Sequence, residues 1–265
     1  MEKHLNVNLQ KIDRIIGGYL ARNRTPVRPK LEKYFAGGGR IRPRIMLAVG
    51  KLIGAKQADI NQLAASLEML HTATLIHDDI VDRTERRRGQ KTLHLTSPAN
   101  VAVLGGDYLL AGALSLAAGL GEAEVVALIA DALARLCKGE IAETYGRANY
   151  YQNIADKTGV LFEAACTLAC AAASAGRRET KALRTFGLKL GTAYQIADDA
   201  ADLQEDLRQG VKTLAVKKYL AGNQAGAAAG TLRAANKLAG QAAKELALFP
   251  ASPARDYLRS LANFS

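Results

Sequence analysis

The 265-residue sequence predicts an all-α fold: a single domain over 1–265, built as a helical bundle with a central cavity flanked by two Asp-rich helices. Three observations lead there. Hydrophobic residues make up 49% of the chain but aromatics only 5%, with no tryptophan, so the core is mostly alanine and leucine, which favour helices over sheets. Apolar residues recur at helical spacing, and no alternating block bounded by hairpin turns stands out. Two apolar runs end in the same acidic pattern, Asp78, Asp79 and Asp82 in one and Asp198, Asp199 and Asp202 in the other.

The elements follow in order. Residues 4–22 carry Leu5, Leu9, Ile12, Ile16 and Leu20 at helical spacing, and Pro26 and Pro29 end that helix. Residues 30–54 hold a short helix, a glycine loop at 37–39 and a helix over 43–53, with Pro43 suited to a first turn. Residues 57–83 form the first aspartate helix, with Leu63, Leu67, Leu70, Thr74, Ile80 and Val81 on its inner side. Two helices follow at 97–120 and 122–147; Ala111, Gly112, Ala113, Ala117 and Ala118 make the first thin-walled. Residues 152–175 read as one helix with Lys157 and Thr158 near its start, and 179–203 as the second aspartate helix. Residues 204–220 start as a loop and turn helical; the alanine-rich tail is helical, broken at 249–253. The N-terminus lacks the apolar stretch of a signal peptide, and the sequence predicts no membrane span.

On a helix, Asp78 and Asp82 stand one turn apart on one face and repel by several tenths of a kcal/mol. A hard divalent cation such as Mg²⁺ removes that cost and favours ligands that bring phosphate oxygens. Arg86, Arg87 and Arg88 follow at once, and guanidinium forks suit phosphate. A solvated charged face is the plain alternative for one such cluster; a second copy at the end of another apolar run argues for metal held across a bundle core. The glycine loop, with Arg40 and Arg42, offers an anion site. The net charge, 36 − 25 = +11, admits nucleic acid, an anionic membrane surface or an anionic small molecule, but no nucleic-acid motif accompanies it. Three cysteines, Cys137, Cys166 and Cys170, suggest buried thiols in a reducing, cytoplasmic setting.

With these residues in place, the chain resembles the trans-isoprenyl diphosphate synthases, the polyprenyl synthetase family, over about residues 30–220. Gly37-Gly38-Gly39-Arg40-Ile41-Arg42-Pro43 is similar to the family's G-G-K-R-x-R-P, and residues 68–82 to its first aspartate region. Arg87-Arg88-Gly89, Gly106-Asp107, Gly139-Glu140, Lys157-Thr158 and Tyr194-Gln195 fall at further landmarks. The resemblance implies an isoprenoid-synthase bundle that joins isopentenyl diphosphate to an allylic diphosphate. It implies about three Mg²⁺ ions per site on the six aspartates. Lys157 then adds positive charge to the leaving diphosphate, and Thr158 and Gln195 stabilise the allylic cation. Arg42, His71 and Arg88 hold isopentenyl diphosphate, with Arg40 and Arg87 beside them. A homodimer, or a heterodimer with a second synthase subunit, and peripheral membrane contact for product release are implied as partners. Four and five residues before Asp78, Thr74 and Ala73 are not aromatic, so neither plugs the pocket at farnesyl length. The small residues at 111–118 are expected to widen the wall, Leu70 is the first floor, and the product is expected in the medium-to-long class.

The chain departs from the pattern where Gly39 replaces the family's lysine, in the short segment after Asp202, with Val211 at a lysine position and Lys212 beside it to compensate, and at Glu143, where a glutamine is usual. These losses raise the reading of a catalytic subunit active only with a partner. A non-catalytic helical subunit is expected to lose aspartates first. A terpene cyclase usually mixes Asn, Ser or Thr and Glu in its second metal motif, and a basic nucleic-acid-binding protein leaves six placed aspartates unexplained.

Overall fold

The computed structural model describes residues 9–22, 24–147, 149–209, 213–222 and 226–264. Helix α1 (Leu9–Arg22) buries Ile12, Ile16 and Leu20. It is followed by α2 (Arg28–Tyr34), α3 (Ile41–Leu52) and α4 (Gln57–Val81). After α4 come a two-residue antiparallel pair, β1 (Arg86–Arg87) and β2 (Gln90–Lys91), and the single turn α5 (Leu93–Thr96). Then follow α6 (Ala99–Ala118), α7 (Ala123–Thr144), α8 (Tyr150–Ile154), a π-helical turn (Ala155–Gly159), α9 (Val160–Ala172) and α10 (Arg177–Ala201). The chain closes with α11 (Leu203–Gln209), α12 (Leu214–Leu220), α13 (Ala227–Glu245), a 3₁₀ turn (Leu246–Leu248) and α14 (Pro253–Ser260).

Helix α9 is the axis. Every residue from Val160 to Cys170 is buried, and the run is apolar on all sides but for Thr167 and for Glu163, which pairs with Arg135 and Arg184. It packs against α3, α4, α7 and α10, and the main core runs from Ile12 on α1 to Leu258 on α14. Glycines let α10 come unusually close. A Cβ on Gly187 would lie 2.5 Å from the Phe162 carbonyl oxygen, and one on Gly191 2.9 Å from Gly159 Cα. Gly159, Gly187 and Gly191 therefore form a seam in which backbone touches backbone.

The structure differs from the sequence expectations at several points. The first helix is described from Leu9, so Leu5 lies outside the described residues. The arginines after Asp82 do not continue a helix: Arg86 and Arg87 enter the hairpin, and Arg88 and Gly89 turn it with left-handed φ of 51° and 79°. The helix expected at 152–175 is interrupted by the π turn, and 203–209 is helix rather than loop. Val81, expected inward, is 57% exposed because it is the last residue of α4. Cys166 and Cys170 are buried but Cys137 is exposed.

Helix α6 is long and apolar enough, by length and composition alone, to cross a bilayer, although Asn100 and Asp107 interrupt its apolar run. Its small residues serve packing. The space beside Gly112 is taken by Met69 and Tyr19, and Ser66 Oγ donates to the Ala113 carbonyl at 2.7 Å. The stretch at 111–118 therefore draws α4 and α6 together instead of widening a wall. Val103 and Leu104 on α6 remain exposed, as do Val81 and Leu95 nearby in the chain.

Candidate active site

Both aspartate motifs lie at helix C-termini, the first on α4 and the second on α10. Cluster carboxylates there meet the negative end of the helix dipole as well as one another. In each motif the middle acid is built differently from its neighbours. Asp79 is fully buried; Arg87 donates to its Oδ1 through Nε and Nη2, both at 2.7 Å, and the Tyr34 hydroxyl donates to Oδ2 at 3.0 Å. The Tyr34 oxygen also accepts from the Leu93 amide at 2.8 Å, and burial pushes this phenol up to about 12. Asp199 is 6% exposed; the Tyr150 hydroxyl donates to its Oδ2, and Gln195 Nε2 donates to its Oδ1 at 3.0 Å. A buried carboxylate without such donors is costly, so each motif folds around its middle acid.

The outer acids face open space. Asp78 and Asp198 are partly buried, Asp82 and Asp202 exposed. Burial first, then Glu140 and Asp82, lift the Asp78 carboxyl to about 6 against the opposing pull of Lys157 and Arg87. Burial first, then Asp202 and Asp199, lift Asp198 to about 6 against Arg42. Asp198 also lines a hollow of about 460 Å³ walled by alanines of α10 and α13.

The π turn links the two motifs. A π turn carries one extra residue, which re-aims the side chains around it. Lys157 Nζ sits 2.8 Å from Glu140 Oε2 and 2.5 Å from Glu143 Oε2, on the side where its charge reaches Asp78. Burial works to lower its pKa, but the two glutamates outweigh that and raise it, so the ammonium persists. Thr158, next in sequence, points the other way: its Oγ1 donates to Gln195 Oε1 at 2.9 Å. A continuous path thus runs from Thr158 through Gln195 to Asp199 and Tyr150.

The predicted anion residues divide into three settings. Arg42 Nη1 donates to His71 Nε2 at 3.0 Å; an arginine has only donors, so that nitrogen carries no proton. Burial, then Arg42, holds the His71 pKa well below its usual value, so the ring is neutral. The Arg42 guanidinium lies 5.2 Å from the centre of the Phe162 ring, and its buried Nε has no hydrogen-bond partner. Arg40 is turned inward, 3.0 Å from Asp13, 3.5 Å from buried Glu68 and 2.5 Å from the Phe35 carbonyl. Arg88 Nη1 donates to the carbonyls of Tyr34, Ala36 and Gly37 at 3.1, 3.3 and 3.1 Å, pinning the glycine loop. Gly38 must be glycine: its φ is 80°, and a Cβ there would lie 2.6 Å from Arg88 Nη2. Lys212 lies outside the described residues.

Sequence reasoning missed Tyr34 and Tyr150. Each hydroxyl meets a carboxylate more than 40 residues away in sequence, and no local spacing signals such a pair. The donor set nonetheless fits a divalent cation with phosphate beside it. Among the described residues, no three carboxylate, imidazole or thiol groups converge tightly enough to hold an ion unaided. Two outer acids per motif leave further positions for water and phosphate oxygens, the mixture a small hard cation takes. The unpartnered Arg42 Nε is a donor that a diphosphate would satisfy.

The sequence model of the polyprenyl synthetase family matches residues 26–217. Heptaprenyl diphosphate synthase component 2 of Bacillus subtilis is 35% identical over 199 residues, covering 68% of this chain and 57% of that protein. Nonaprenyl diphosphate synthase of Mycobacterium tuberculosis is 34% identical over 234 residues, covering 81% and 66%. The chain thus spans less than two thirds of the length of each. The crystal structure of a polyprenyl synthase from Caulobacter crescentus CB15, complexed with calcium and isoprenyl diphosphate, matches with a TM-score of 0.89 and 29% identity, covering 98% of this chain and 94% of that one.

Proposed function

This chain belongs to the polyprenyl synthetase family, and from that premise we propose that it condenses isopentenyl diphosphate with an allylic diphosphate to give a longer all-trans polyprenyl diphosphate. The observation that carries the reading is the π turn, whose adjacent Lys157 and Thr158 reach toward opposite aspartate motifs. The relative crystallised with calcium and isoprenyl diphosphate supports a divalent-cation site of this kind.

In this reading Asp78 and Asp82 with Asp198 and Asp202 would hold Mg²⁺, about three ions, which would supply the Lewis acidity that neutralises a leaving diphosphate. Asp79 and Asp199, expected among the ligands, are instead taken up by Arg87, Tyr34, Tyr150 and Gln195 and fix the helix ends that present the outer acids. Lys157 adds a fixed ammonium to that group. The allylic C–O bond breaks with its electron pair leaving on diphosphate, and the Thr158–Gln195 dipoles, set in advance, stabilise the allylic cation. Arg42, with neutral His71 as its partner, holds the isopentenyl diphosphate head while Arg88 fixes the loop beside it. The isopentenyl double bond forms the new C–C bond, and the proton then lost goes to the departing diphosphate. No side chain has to act as a strong base. A cytoplasmic setting and delivery of the product to a membrane surface belong to the same reading.

The test is a radiolabelled elongation assay on the purified chain, with dimethylallyl, geranyl, farnesyl or geranylgeranyl diphosphate as primer, with and without Mg²⁺. A Mg²⁺-dependent ladder of medium-to-long products is expected. No product with any primer would overturn a self-sufficient synthase.

A second reading, a catalytic subunit that needs a partner, is favoured by the exposed apolar side chains Val81, Leu95, Val103 and Leu104, which call for a cover. A relative named as component 2 of a synthase agrees with it. Sedimentation of the active species separates a homodimer from a heterodimer.

A further inference from the structure

The mechanism above touches one basic cavity through Arg88 and gives its lysines no role. It has a volume of about 280 Å³ and lies between α2 and the β1–β2 hairpin. Lys30, Lys33, Arg87, Arg88 and Lys91 contribute to its lining, the Tyr34 side is partly apolar, and no acidic residue lines it. Of the three residues that the resemblance assigned to the isopentenyl head, Arg88 lines this cavity, turned toward the glycine loop, whereas Arg42 and His71 do not. Lys33 and Lys91 are exposed; Lys30 is steered inward by the Thr96 carbonyl and by Ser97 Oγ at 2.7 Å. Five cations around one small hollow repel one another, and a compact polyanion relieves that repulsion.

We propose that this cavity is a second anion site, for a phosphate or diphosphate group, separate from the site at Arg42 and His71. Its two arginines are already committed on their inner sides. Arg87 is bonded to Asp79, and Arg88 to the carbonyls that pin the glycine loop. An anion in the cavity therefore competes with Asp79 for Arg87 and with the loop for Arg88. The occupant is sensed at the first aspartate motif without touching it. Binding itself does not depend on the proposed prenyl transfer; only this communication does.

Calorimetric titration of the full chain in EDTA tests the site without turnover. Inorganic diphosphate and inorganic phosphate are the two probes, and the better binder identifies the head group the cavity prefers. Lys33→Gln/Lys91→Gln is compared with Lys51→Gln/Lys244→Gln, which removes the same charge from exposed lysines elsewhere on the surface. The cavity variant is expected to weaken diphosphate binding roughly tenfold or more, the loss of two exposed charge-assisted contacts, while the control variant and Arg42→Gln keep the cavity affinity. Equal weakening in both lysine pairs, or loss in Arg42→Gln with none in the cavity variant, would overturn the proposal. Failure of the elongation assay would leave the titration result standing.

Discussion

Substituting Gly187 by alanine puts the α9–α10 seam to the test. A Cβ at that position would sit 2.5 Å from the Phe162 carbonyl oxygen and 2.9 Å from both Glu163 Cα and Cys166 Sγ. Two of these three atoms are backbone and cannot swing aside. Restoring ordinary contact at 3.4 Å requires the helices to part locally by about 0.9 Å (3.4 − 2.5). Overpacking of this kind costs about 1–3 kcal/mol, offset by the ~1 kcal/mol that alanine gains over glycine inside a helix. The expected net loss is therefore about 0–2 kcal/mol, a fall in Tm of up to roughly 8 °C for a chain of this size. The functional loss is larger than that suggests. Thr158 and Gln195 stand on the two sides of the same seam at 2.9 Å, about 12 Å further along α10, so a parting passed along the seam lengthens their bond toward an upper bound of about 3.8 Å and weakens or breaks it. Displacement on that scale costs up to about 10²-fold in rate, so kcat for elongation should fall roughly 10–100-fold. Gly240→Ala on α13, where nothing lies within 4 Å, is the control and should raise stability by up to ~1 kcal/mol. Thermal unfolding and steady-state elongation read both variants. A Gly187→Ala protein with wild-type Tm and kcat would refute the argument that the seam positions Thr158 against Gln195.

Arg87→Gln should strand Asp79 in the core with only Tyr34 as donor and destabilise the fold by about 3 kcal/mol, read by urea unfolding; a change under ~1 kcal/mol would show that the carboxylate finds water. Asp78 and Asp198, each lifted to about 6 from 3.8, bind protons more readily folded than unfolded, so their contribution to metal-free stability is present at low pH and lost as pH rises through 6. Thermal stabilisation by added Mg²⁺ should therefore grow between about pH 5 and pH 7, and a flat response would remove these two acids from the metal site. Leu70→Ala, at a fully buried position on α4, should cost about 2–5 kcal/mol and lengthen the product by chromatography; an unchanged length would remove Leu70 as the floor.

The sequence carried the long helices well because their apolar residues repeat at helical spacing, and both aspartate motifs stand at helix ends as their position after apolar runs implied. What escaped it is short or non-local. A two-residue strand pair such as 86–87 with 90–91 has no alternation to detect. The π turn adds one residue without changing the periodicity on either side of it, so 152–175 read as unbroken. The Tyr34–Asp79 and Tyr150–Asp199 pairs exist only once distant helices pack. The seam glycines were invisible for a related reason: a glycine inside a helix looks like a weak point until the facing backbone is known.

The π turn has one more consequence, for how this chain can change over time. A single extra residue amounts to about 100° of helical rotation, so the turn acts as a swivel between α8 and α9. Residues before it can drift to suit Tyr150 and the second motif, while those after it stay locked in the glycine seam. Deleting one residue from 155–159 would give a smoother helix that rotates Lys157 away from Glu140 or Thr158 away from Gln195. The irregularity lets two neighbouring residues serve opposite sides of one site, and a regular helix through this point could keep only one of those alignments.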